Sequence, residues 1–149
     1  MRAVIQRVSR ASVVVDESTT GAIGTGLLVL LGVEQGDSAD DLKYTFGKTV
    51  GLRIFADDQG KMNRSLADVG GQMLVVSQFT LLGDVRKGRR PSFIQAAEPE
   101  LARQFYNEFI SLGRASGIDV QSGIFQAEMA VESVNDGPVT ILIDSQKRF

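Results

Sequence analysis

The sequence predicts a single α/β domain in which many strands, mainly antiparallel, pack with two helices. Three observations carry this: strand-length runs of β-branched residues crowd both ends of the chain, two stretches repeat apolar residues at helical spacing, and no linker, low-complexity tract or internal repeat divides the 149 residues. A chain of that length buries roughly 68–70% of the surface its unfolded form exposes, so it builds a core without disulfides or metal.

Arg2 to Val8 and Ala11 to Val15 read as two strands parted by Ser9-Arg10. Leu27-Leu28-Val29-Leu30-Leu31 is continuously apolar, which predicts a strand buried on both faces at the centre of the sheet. Asp37-Ser38 offers an N-cap to a helix with Leu42, Phe46 and Val50 on one stripe, ending near Gly51. Asp57-Asp58-Gln59-Gly60 makes a turn, and Met73 to Val76 opens a strand that runs on into Ser77-Gln78-Phe79-Thr80-Leu81. Pro99 stands in the first turn of a second helix carrying Leu101, Phe105, Phe109 and Leu112, closed by Gly113 or Gly117. The last third alternates as three antiparallel strands: Val120 to Ile124, Met129 to Ser133 and, after a turn at Asn135-Asp136-Gly137-Pro138, Val139 to Ile143.

Three zeros narrow the chemistry. The chain has no Cys, no His and no Trp, which excludes thiol nucleophiles, disulfides, Cys/His zinc sites and a Ser–His–Asp triad. An enzyme built from it works with hydroxyls, carboxylates, amines, backbone dipoles or groups on its own substrate. The net charge of −2 gives no general attraction for polyanions, so contact with nucleic acid has to be local. No apolar run is long enough for a membrane span and no secretory signal is evident, so the expectation is a cytoplasmic protein that binds no membrane.

Four segments could carry a site. Ser77-Gln78-Phe79-Thr80 places two hydroxyls and an amide where an apolar strand turns polar, and reads either as a strand facing water or as a site whose backbone N–H groups meet a developing oxyanion. Arg86-Lys87-Gly88-Arg89-Arg90 packs four cations into five residues of an acidic protein, either a solvated face or a phosphate contact. Asn135-Asp136-Gly137-Pro138 reads by composition as a hairpin turn. Phe125 and Met129 are either core or a clamp for a flat ring. Asp40-Asp41 and Asp57-Asp58 suit a helix start and a turn, and neither a metal site nor a cofactor is assigned.

The order and spacing of Ser77-Gln78-Phe79-Thr80-Leu81, Gly88-Arg89-Arg90-Pro91-Ser92-Phe93 and Asn135-Asp136-Gly137-Pro138-Val139-Thr140, with Met1 to Val8 and Gly26 to Val33, resemble the D-aminoacyl-tRNA deacylase family, also called D-tyrosyl-tRNA deacylases. The resemblance spans essentially the whole chain. It implies barrel-like sheets and a homodimer that hydrolyses the ester between a D-amino acid, or glycine, and the terminal adenosine of tRNA, with DNA and membranes as no part of its business. It further implies that Gly137-Pro138 is a cis pair entering the partner's pocket to exclude L-amino acids, that Arg7 supports it, and that Ser77, Gln78, Phe79 and Thr80 line the scissile ester. Phe125 and Met129 match the adenine pocket, where the family often continues with a small residue and this chain has Gln126. Arg86, Lys87, Arg89 and Arg90 are the expected phosphate contacts.

An aminoacyl ester is labile and has a ribose hydroxyl beside it, so positioning and an oxyanion site can suffice without an imidazole. A covalent Thr80 is the rival mechanism, with no base in its motif to activate it. Rival functions are an editing module that removes an L-amino acid, a non-catalytic dimer that binds the tRNA end, and a scaffold protein.

Overall fold

The computed structural model describes residues 1–149 and begins with one unbroken strand, β1 (Arg2–Val15), where the sequence predicts two. There follow β2 (Ser18–Ile23), β3 (Gly26–Gly32), helix α1 (Ala39–Gly51), a small hairpin of β4 (Phe55–Ala56) and β5 (Met62–Arg64), β6 (Gln72–Ser77), a 3-10 turn (Phe79–Leu82), helix α2 (Pro99–Ala115), β7 (Val120–Ser122) and β8 (Ala130–Asp144). The polar pair Ser9-Arg10 marks a bend in β1 and not a break. Val8 pairs with Asn135 and Arg10 with Val134, so Ser9 is an extra residue on β1, and such a bulge turns a strand without ending it.

The bend lets β1 serve two neighbours on one edge. β8 runs antiparallel along β1 from Arg2 to Val14, while β3 pairs with Arg2–Val8 and β2 with Ala11–Val15. A strand has two edges, so β2 and β3 share the edge that β8 leaves open. The sheet continues from β3 to β6 and from β6 to β7, both in parallel, with α1 and α2 inside the respective connections. β2 then approaches β7: a Cβ on Gly21 would lie 2.9 Å from the Ser122 carbonyl oxygen, which only a glycine backbone permits. This closes the sheet into a near-barrel, and β3 stands at its centre as its apolar run predicts.

Two expectations for the last third are corrected. β7 is parallel to its neighbour because it arrives after a helical crossover, and the other two predicted strands are one, β8. The Asn135–Pro138 segment is no hairpin turn, since both of its flanks pair with β1 and not with each other. Between Val8↔Asn135 and Gln6↔Thr140, β1 advances two residues and β8 five (8 − 6 against 140 − 135), so three extra residues loop out of the strand. Asn135 cinches the neck of the loop: its Oδ1 accepts from Val139 N at 2.9 Å and its Nδ2 donates to Thr140 Oγ1 at 3.0 Å.

Both faces of the central strands are buried. Leu27, Val29 and Leu31 of β3 with Met73 and Val75 of β6 face the helices, where Leu42, Phe105 and Phe109 meet them. Leu28, Leu74 and Val76 face the other way, onto Val8, Val13 and Ile23 inside the barrel. Phe46 and Phe109 meet edge to face at 5.4 Å and join the two helices. On α1 the fully buried positions are Leu42, Thr45 and Thr49, with Phe46 and Val50 half-buried, so the predicted stripe is rotated by a fraction of a turn.

α1 starts with a reciprocal capping box between Ser38 and Asp41. Burial would raise the Asp41 carboxyl from its ordinary 3.8, but hydrogen bonds from Ser145 and Ser38 and the nearby chain terminus outweigh it and hold the group at about 2. A depressed carboxylate stabilises the fold fully above its unfolded value and loses that contribution as pH falls through the folded value. Asp41→Asn is therefore expected to melt below the wild type at pH 6. The gap should shrink between pH 3.8 and about 2, as followed by thermal melts across an acid series.

Candidate active site

β6 carries the chain to the site and stops there. Ser77 pairs with Leu31, Gln78 N donates to Leu31 O at 2.8 Å, and β3 ends one residue later at Gly32, so nothing remains to pair with a longer β6. The predicted run of strand through Leu81 is thus replaced by the 3-10 turn Phe79–Leu82. Its internal bonds run from Leu81 N to Gln78 O and from Gly83 N to Thr80 O. The first N–H groups of such a turn, here those of Phe79 and Thr80, have no acceptor within it. The exposed Phe79 ring stands edge-on to Phe93 at 5.0 Å.

Beside this turn lies a mostly apolar cavity of about 420 Å³ lined by Ser77, Phe79, Phe125, Gln126 and Met129, with Val33, Pro99 and the alanines 96, 97, 102 and 127 completing the wall. A second concavity of about 390 Å³ takes in Gln78 and Thr80 and shares Ser77, Phe79 and Met129 with the first. The structure therefore brings together six of the expected residues, Ser77, Gln78, Phe79, Thr80, Phe125 and Met129. No titratable side chain lines either cavity.

The walls are held from behind. The segment opposite β6 is stitched to the end of β3 by Ala97 N to Val33 O and Gln35 N to Gln95 O, both 2.9 Å. Glu34, which bridges to Ala96, is itself gripped by Arg148, and that hydrogen bond, against the cost of burial, keeps its carboxyl below the ordinary carboxylate range. On the far side the buried Tyr106 hydroxyl lies 3.0 Å from Val75 O and 3.2 Å from Gly123 O, and burial pushes its pKa up to about 12. Met129 comes so close to Gly123 that a Cβ there would sit 2.5 Å from its sulfur. Gln126 adopts φ 65° at the rim, and its Oε1 accepts from Arg103 Nη2 at 2.9 Å.

The remaining expected residues lie elsewhere. Gly137-Pro138 is cis and sits exposed in the β8 loop, and neither it nor Arg7 lines either cavity. Arg7 does hold that loop: its Nε donates to Asp136 O at 3.1 Å, with Asp136 Oδ2 at 3.3 Å, and its Nη1 reaches Ile54 O. In the basic run, Arg86 is neutralised by Asp84, whose carboxyl its guanidinium holds at about 2, whereas Lys87, Arg89 and Arg90 are exposed. Sequence reading missed the alanines of the cavity wall, whose only signal is small size around the Pro99 helix start.

Fold and site together define a small near-barrel protein with an uncharged, mostly apolar cavity beside a turn whose leading backbone N–H groups are unpaired, and no side-chain acid or base in its lining. Residues 4–144 match the D-Tyr-tRNA(Tyr) deacylase family model, and the chain belongs to that family. It is 56% identical over 149 residues to a D-aminoacyl-tRNA deacylase of Desulfitobacterium hafniense (strain DSM 10664 / DCB-2) and 59% identical to one of Koribacter versatilis (strain Ellin345), with all of both chains covered in each case. Among solved structures it resembles one described as c-Myc DNA Unwinding Element Binding Protein, with a TM-score of 0.91 and 42% identity over 97% of this chain and 98% of that one. No helix is long and apolar enough to cross a membrane.

Tyr106→Phe removes the buried donor behind Phe125 and leaves a carbonyl short of a partner. The expected cost is about 1–2 kcal/mol, a fall in Tm of roughly 2–8 °C, measured by calorimetry.

Proposed function

We propose that this chain hydrolyses D-aminoacyl-tRNA, and glycyl-tRNA as well, to free amino acid and tRNA, working as a homodimer. The observation that carries this reading is the junction at Ser77–Thr80. There an uncharged cavity fit for an adenine meets a turn with unpaired N–H groups, in a chain alike end to end with proteins named for this activity. The terminal adenine lies against Phe125 and Met129. Its aminoacyl ester then reaches the second concavity, where the N–H groups of Phe79 and Thr80 receive the carbonyl oxygen as negative charge builds on it.

Water adds to the ester carbonyl, the bond to the ribose oxygen breaks, and that oxygen takes up the proton. With no titratable side chain in either cavity, the ribose 2′-hydroxyl is the group placed to relay it. Ser77, Gln78 and Thr80 position the ester. Thr80 is not the nucleophile, because nothing beside it can accept its proton.

Chirality is read by a partner. The Gly137-Pro138 loop projects from β8, held by Arg7 and Asn135, and stays out of its own chain's cavities. In a dimer it enters the other subunit's site and occupies the space an L side chain would need. The RNA is met locally, with Lys87, Arg89 and Arg90 free to contact phosphate. DNA and membranes play no part in this reading, and the cytoplasm is its setting.

The test is release of labelled amino acid from matched D-Tyr-tRNA and L-Tyr-tRNA with enzyme far below substrate. Turnover of the D ester alone is expected; binding without turnover would leave a tRNA-end binding dimer, and turnover of both would remove the role given to Gly137-Pro138. A Cβ on Gly137 would lie 2.7 Å from Arg7 Nη2 and 2.8 Å from Val139 Cγ2, at φ 126°. Gly137→Ala therefore strains the backbone at that φ and crowds the Arg7 and Val139 side chains that hold the loop, and should cut the D-over-L preference by about tenfold or more, on the order of 1.4 kcal/mol.

Thr80→Val is expected to keep kcat within about tenfold of wild type, where loss of a true nucleophile costs on the order of a thousandfold or more. An acyl-Thr80 adduct trapped by acid quench would overturn the assignment.

A further inference from the structure

A third concavity adjoins the apolar cavity on the far side of Phe125, which lines both. It measures about 400 Å³ and is polar: Arg103, Asn107, Ser111 and Arg114 border it from α2, and Ser122 and Gly123 form the strand side. The four α2 residues follow at intervals of four, four and three, which places them along one side of the helix, next to the stripe that Phe105 and Phe109 bury. The core residues Tyr106 and Ile110 form its floor, while the exposed polar side chains of α2 along its side pack into no core.

The two arginines are held in place but not neutralised. The Arg103 guanidinium stacks 4.8 Å above the Phe125 ring and donates to Gln126 at 2.9 Å, so it stands at the lip between the two concavities. Arg114 donates to Val120 O at 3.3 Å. Neither forms a salt bridge; Asp119, whose carboxyl hydrogen bonds from Gln72 and Gln121 hold below its ordinary value, feels Arg114 only as a more distant charge. In a protein of net charge −2, two fixed and unpaired guanidiniums facing one polar groove are a local anion site.

We propose that this groove receives the phosphodiester strand that precedes the terminal adenosine of the RNA substrate. Arg103 and Arg114, roughly 16 Å apart along α2, face separate, non-adjacent phosphates at the two ends of the groove, and Asn107, Ser111 and Ser122 between them supply hydrogen bonds to ribose and phosphate oxygens. The proposal rests on the reading of the adjoining cavity as the adenine site. Continuity favours this groove for the strand nearest the ester: a chain leaving the cavity over Phe125 enters it directly. The Arg86–Arg90 loop leads into Phe93, which packs on Phe79, and its exposed cations Lys87, Arg89 and Arg90 form no ion pair that would fix their direction.

The experiment compares Arg103→Gln, Arg114→Gln and the double variant on two substrates, D-Tyr-tRNA and the D-tyrosyl ester of adenosine alone, across a salt series. Arg114 lines only the polar groove, so its variant is the decisive one. The expected result for Arg114→Gln is a KM for D-Tyr-tRNA raised about three- to tenfold at nearly constant kcat. The slope of log kcat/KM against log salt should become shallower by about 0.7, with the adenosine ester unaffected.

An unchanged KM and salt slope for the tRNA would overturn the proposal and send the strand over Lys87, Arg89 and Arg90, where Arg89→Gln with Arg90→Gln would then show the effect. Equal losses on both substrates would overturn it too, since the arginines would then act through the cavity or the fold. If wild-type protein turned over neither substrate, the reading of the cavity itself would fall, an outcome distinct from active enzyme with silent variants.

Discussion

Everything in this molecule depends on the bend in β1. A fourteen-residue strand that bulges at Ser9 can pair with β3 before the bend and β2 after it, while β8 follows it along the opposite edge. The turn at Ser9 falls between the stretch that pairs with β3 and the stretch that pairs with β2, and beyond it β2 approaches β7 closely enough to close the sheet. The same irregularity places Arg7 immediately before the bend. The extra residues of β8 leave the ladder at a second register shift, between Gln6 and Val8, so Arg7 stands directly opposite the loop it holds. Two neighbouring irregularities of the β1–β8 ladder, one on each strand, thus bend β1 and project Gly137-Pro138.

The site follows from where strands run out of partners. β6 ends because β3 ends, and a buried apolar strand that must stop abruptly turns through a 3-10 segment whose first donors are left over. Those donors cost free energy if buried unpaired, so they remain open to whatever fills the concavity. The surrounding wall is made of alanines and aromatic rings and has no charges. In such a wall a backbone N–H acts through a lower effective dielectric than in water and needs no titratable neighbour. The absence of His and Cys is then consistent with the geometry, because the reaction is an ester cleavage that positioning can accelerate.

Much of this was legible in the residues. The continuous apolar run at 27–31 is a strand with two buried faces, Ser38 caps the first helix and Pro99 opens the second, since these depend on local chemistry that nearby residues state directly. The errors have a common cause. Ser9-Arg10 and Asn135–Pro138 carry turn residues, and sequence-local rules read turn residues as ends of strands. Here each is a mismatch inside a longer pairing, and pairing is set by a strand more than a hundred residues away. β7 was misread for the same reason, because only the crossover through α2 makes it parallel. At the site, Ser77–Thr80, Phe125 and Met129 stood out by composition and by resemblance. The alanines of the cavity wall and the Arg103–Arg114 side of α2 did not, because small size and a polar helix face are what any surface helix shows until its neighbours are known.

In the proposed dimer, the placement of Gly137-Pro138 outside its own chain's cavities makes one chain half a site. A loop that rejects one enantiomer has to sit where the substrate's side chain would go and must not move when pushed. Exclusion is worth only as much as the free energy needed to displace the obstacle. Arg7 and Asn135 supply that resistance from the loop's own chain, through bonds to Asp136 O, Val139 N and Thr140 Oγ1. The cavity the loop would guard is lined by none of these residues. On the proposed reading, an obstacle on one surface and an unguarded pocket on another make a functional unit when two copies meet, so selectivity and association would be one requirement.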